Sequence, residues 1–88
     1  MNSKVFSQRF NQELSSLGFP DDPAEKTKAV AKVFAVNRHL ANSMILGYSM
    51  PPADKLDGIA RILEVCPKWL AGESARKKGY PVREMEEA

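Results

Sequence analysis

An all-α fold, a compact bundle of about five short helices, is what this amino-acid sequence predicts. Apolar residues recur at helical spacing in successive stretches. Each stretch is bounded by residues that start or stop helices, Asp22 and Asn37 on one side and Gly18, Gly47, Pro51 and Pro52 on the other. No run of β-branched residues alternates in the way a half-buried strand requires, so a sheet has no support.

Phe6, Phe10, Leu14 and Leu17, with Gln8, Arg9, Asn11 and Gln12 between them, predict an amphipathic first helix over residues 4–17, ended by Gly18. After the turn GFPDDP, Asp22 is placed to cap a second helix, with Pro23 preorganised at its first position and Glu25 set as in a capping box. This helix runs from Pro23 to about Phe34. Val30, Ala31, Val33 and Phe34 are expected to face inward, and Lys26, Lys28 and Lys32 to spread over the rest of its surface. Asn37 caps a third helix, Arg38 to Leu46, closed by Gly47. Only Ala35 to Asn37 separate the second helix from the third, and helices joined so tightly cross steeply, as in a helix-turn-helix.

A fourth helix, Ala53 to about Leu63, follows the segment GYSMPPAD and repeats Leu56, Ile59, Ala60 and Leu63 at helical spacing. Cys66-Pro67 opens a fifth helix with Trp69 and Leu70, which Gly72 ends after barely one turn. The last stretch sets the basic Arg76, Lys77, Lys78 and Arg83 before the acidic Glu84, Glu86 and Glu87, with Gly79 and Pro81 interrupting any helix. Residues 1–73 are therefore expected to form the folded domain, and residues 74–88 a flexible or dimer-associated tail.

With 88 residues the chain is expected to be one small domain without a second catalytic lobe. Its 43% hydrophobic and 27% charged residues suit a globular domain and exclude a wholly disordered one. A net charge of +2 permits a nucleic-acid partner without requiring one. The basic excess lies in the front half, where six basic residues stand against four acidic ones, compared with seven of each from residue 49 onward.

Cys66 is the single cysteine, which rules out an intrachain disulfide and a zinc site of paired thiolates; it reads as a small helix-start residue. No apolar run approaches the ~20 residues of a bilayer span, and MNSKVFSQRFNQ lacks the apolar stretch of a secretory signal. A cytoplasmic, nucleoid-associated protein is expected. Catalysis has no foothold, because a nucleophile needs a base held beside it and the single His39 is expected on a convex helix surface. A lone histidine without companions is no metal site. The chain is expected to be a binding protein with no cofactor, not an enzyme.

The segments QRFNQELSSLGF, AVAKVFAVNRHLANSMILGYSMP, LDGIARILEV and CPKWLAGE together resemble the lambda-repressor-like helix-turn-helix family, the Xre or phage-repressor type, across roughly residues 6–73. The most specific part is a helix-turn-helix followed at set distances by Gly-x-x-x-Pro, Ile-Ala-x-x-Leu-x-Val and Trp-Leu-x-Gly. Two positions depart from the family pattern. Ala35 stands where glycine is usual, and a left-handed backbone there would cost alanine about 1 kcal/mol relative to glycine. Ala41, in the middle of the third helix, is smaller than the usual branched apolar residue.

The resemblance implies that the third helix lies in the major groove of double-stranded DNA, with Arg38, His39 and Ser43 at base-reading positions and Asn42 alongside. Arginine gives paired hydrogen bonds to guanine and asparagine to adenine, each worth about 1–3 kcal/mol of discrimination. Lys26, Thr27, Lys28, Asn37, Tyr48 and Lys55 are the implied phosphate contacts, Thr27 near a helix N-terminus that itself favours anions. One module reads too few base pairs to select a genomic site, so the resemblance further implies a homodimer on a palindromic operator, its recognition helices about 34 Å apart. Trp69, although also expected in the core with Phe6, Phe10, Phe34 and Met44, joins Leu70, Tyr80 and Val82 as apolar area for that interface. A sequence-specific transcriptional regulator, most simply a repressor, is the expected function. The alternative is a protein-interaction module, an antitoxin or phage modulator holding a protein partner through its C-terminal tail.

Overall fold

The computed structural model describes residues 3–73, which form α1 (Ser3–Ser16), α2 (Pro23–Val33), α3 (Arg38–Leu46), α4 (Ala53–Leu63) and α5 (Pro67–Leu70), with no strand among the described residues. Residues 74–88, with Tyr80 and Val82, lie outside them. An aromatic column joins α1 to α2. The rings of Phe6 and Phe10 stack at 5.2 Å, Phe10 meets Phe34 edge-on at 5.5 Å, and Phe34 stacks on Phe19 at 6.2 Å. Phe6, Phe10 and Leu14 recur every four residues, so one stripe of α1 supplies the floor of the core. Val30, Ala41, Met44, Ile59, Val65 and Leu70 close over it. Each large side chain so buried contributes roughly 1.5–3 kcal/mol. α3 packs on α1 and α2, while α5 packs on α1 and α4. The short turn between α2 and α3 makes these two helices a helix-turn-helix.

All five helices stop by one device. A residue with left-handed backbone follows each helix: Gly18, Ala35 (φ 56°), Gly47 (φ 81°), Glu64 (φ 60°) and Gly72. The next N–H then donates to the carbonyl five positions back, Phe19 to Leu14, Val36 to Ala31, Tyr48 to Ser43, Val65 to Ala60 and Glu73 to Lys68, at 2.8–3.1 Å. Ala35 therefore takes the backbone that glycine usually supplies, at the cost expected of a Cβ there.

Three expectations are corrected by the packing. α1 ends at Ser16, which leaves Leu17 in the following turn and exposed. Val33 is 46% exposed: the buried side of α2 runs through Val30 and Phe34, and Val33 lies about 60° beyond Val30 on the far side. Trp69 and Leu70 are 8% and 0% exposed, so neither offers apolar area to a dimer interface. α5 lies against α1 instead, with the Arg9 guanidinium 4.9 Å from the centre of the Trp69 ring and Arg9 Nη1 donating to the Trp69 carbonyl.

Candidate nucleic-acid interface

α3 begins at a side-chain cap. Asn37 Oδ1 accepts the Leu40 N–H at 2.7 Å, which satisfies one of the donors that a helix start leaves open. The helix has nine residues and is about 13 Å long. Its rear is sealed, with Ala41 and Met44 fully buried and Leu40 and Ile45 partly so. Arg38, His39, Asn42 and Leu46 are exposed and Ser43 is half-exposed. At about 100° per residue these five fall within one arc of roughly 140°. No acidic residue occurs in α3. The four expected base-contacting residues therefore share one outward face, and Leu46, which the sequence reading did not single out, lies among them.

Two ties hold that face in place. Ser7 Oγ donates to the Ile45 carbonyl at 2.6 Å, and Asn11 Nδ2 donates to the same carbonyl at 2.9 Å and to the Ser7 carbonyl at 2.9 Å. Beside them Gly47 lies so close to α1 that a Cβ there would come within 3.3 Å of Ser7 Cβ. The far end of α3 is thus bolted to α1 by polar groups, and Asn11 Oδ1 is left buried without a partner. The near end is tied as well, because Lys55 Nζ donates to the Ala35 carbonyl at 3.2 Å and joins α4 to the turn before α3. Neither tie was legible in the sequence. Ser7 and Asn11 are one helical turn apart on α1, but nothing local in them names α3 as their partner.

The implied phosphate contacts divide into two groups. Lys28, Asn37, Tyr48 and Lys55 are exposed, whereas Lys26 and Thr27 are half-buried. The start of α2 does not favour an anion as expected: Asp22 already accepts the Glu25 N–H at 3.1 Å, and Asp21, Asp22 and Glu25 make that end acidic. Hence any attraction of α2 for an anion rests on its lysines, not on its dipole. α4 differs only in part: its cap residue Pro52 makes no side-chain cap bond, but its first turn carries the acidic Asp54 beside Lys55. Tyr48 is also distinctive. Phe19, Val36 and Val65, which follow the left-handed residue after α1, α2 and α4, pack on the core, but Tyr48 in the same role is 76% exposed.

No family model, curated protein or solved structure matches this chain. Among the described residues no three His, Cys, Asp or Glu side chains group as metal ligands, no pocket opens, and no helix is long and apolar enough to cross a membrane.

Proposed function

We propose that this chain is a sequence-specific DNA-binding transcriptional regulator of the phage-repressor type, working in the cytoplasm on the nucleoid, with α3 in the major groove. The observation that carries this reading is the outward arc of α3, where Arg38, His39 and Asn42 are exposed on a helix fixed at both ends and free of acidic residues. A major groove about 12 Å wide admits one α-helix, and hydrogen-bonding side chains on the entering face meet base edges there. Lys28, Tyr48 and Lys55 flank α3 in sequence on exposed positions and serve as phosphate donors that set its register. Two copies on a palindromic operator supply the specificity one copy lacks. Because Trp69 and Leu70 are used in the core, the pairing surface falls to the tail, with Tyr80 and Val82, and to exposed apolar residues such as Ile62.

The test is selection of bound duplexes from a random pool. A palindrome is expected to enrich, and Arg38→Ala is expected to lose about tenfold or more of its preference for the selected site over random DNA. Binding of the native chain should weaken steeply with added salt. An unenriched pool sinks the proposal, and a chain that stays monomeric on the selected duplex removes its dimer. A protein-interaction module is the second reading, favoured by the exposed apolar residues Leu17, Val33, Leu46 and Ile62. A protein partner held from a lysate with no DNA retained would decide for it.

A further inference from the structure

We infer that Leu46 reads a thymine, packing its side chain on the C5-methyl group of that base. This inference rests on the DNA-binding reading above and adds a specificity-determining residue to it. Leu46 is 52% exposed, although it closes a helix whose other side is fully sealed by Ala41 and Met44. It stands four residues after Asn42 and seven after His39, so it lies within their arc and not on its flank. Along the axis it is about 12 Å from Arg38. The outward face of α3 is therefore polar along most of its length and hydrocarbon at its last residue.

A partner that meets this whole face must present donors and acceptors first and an apolar group last. In the major groove every base presents donors or acceptors, and thymine alone adds a methyl group. Thymine and cytosine both carry a polar group at C4, so what sets them apart for a hydrocarbon side chain is the C5-methyl group, in whose place cytosine has only hydrogen. Leu46 thus separates thymine from cytosine by that methyl group, about 12 Å along the axis from Arg38.

The experiment uses the full chain and the duplex enriched from the random pool, together with copies in which each thymine in turn is replaced by deoxyuridine, a change that removes only the methyl group. The native chain is expected to bind one of these copies about fourfold more weakly, the effect of withdrawing one buried methyl group. In Leu46→Ala and in Leu46→Gln, each checked for helix content and cooperative unfolding, that copy and the parent duplex are expected to bind alike. The assignment is overturned if the enriched duplex has no thymine that responds to methyl removal, or if the response persists in both variants; the DNA-binding reading survives either outcome. Failure of any duplex to enrich overturns both readings together.

Discussion

Ala35 and Gly47 bracket α3, and both have a left-handed backbone, with φ 56° and 81°, yet they lead to opposite predictions. At Ala35 the Cβ is the source of strain and the residue is exposed, so Ala35→Gly is expected to raise stability by about 1 kcal/mol, read as a higher urea midpoint at unchanged slope. At Gly47 the new Cβ would meet both the same strain and Ser7 Cβ at 3.3 Å, so Gly47→Ala is expected to lower the midpoint by more than about 1 kcal/mol of stability. The glycine stops and the caps Asp22 and Asn37 were legible in the sequence because their chemistry is local. The left-handed Ala35 was legible only as a departure from a family pattern. Glu64 was not legible at all, since nothing in a glutamate favours φ 60° and the burial of Val65 after it imposes the conformation.

At the level of elements, the helix boundaries followed from periodicity and punctuation, whereas the faces did so only in part. Val33 fits an apolar pattern yet turns outward because the side of α2 that is buried is set by where α1 and α3 lie, which is a long-range fact. The same holds for Asn11, read as a surface residue between apolar positions and found holding the Ile45 carbonyl. Asn11→Ala is expected to cost about 1 kcal/mol of stability and to speed amide hydrogen exchange in the last turn of α3 more than in α4. Equal acceleration in both helices would show that Asn11 supports the bundle in general and not the seating of α3. The proposed base preference is expected to depend on the same seating, because the arc that displays Arg38 exists only while α3 is held on α1.

Residues 3–73 close the core on themselves, with Trp69, Leu70 and Ala71 buried as its last members. A chain ending at Glu73 is therefore expected to keep its helix content and its single cooperative unfolding transition. If the pairing surface lies in the tail, the same truncation is expected to leave binding to one half-site unchanged and to weaken binding to the palindrome, seen as loss of the two-copy complex in a size measurement with DNA. The all-α fold class was legible from end to end, since composition, punctuation and spacing agreed. The assignment of Trp69 and Leu70 to a dimer surface failed because apolar residues in a helix as short as α5 look alike whether they meet their own chain or another. Only their burial in the folded core decides between the two.

The Arg9 and Trp69 pair has one practical consequence. Trp69 is the chain's single tryptophan, and a helix of four residues does not persist in water once it detaches. Ultraviolet emission from the unlabelled protein is therefore a gauge of whether the single turn of α5 is seated, independent of the backbone dichroism that the longer helices dominate. Superimposed melting curves from the two signals mean that the bundle comes apart at once; an earlier red shift of the emission means that this turn lets go first.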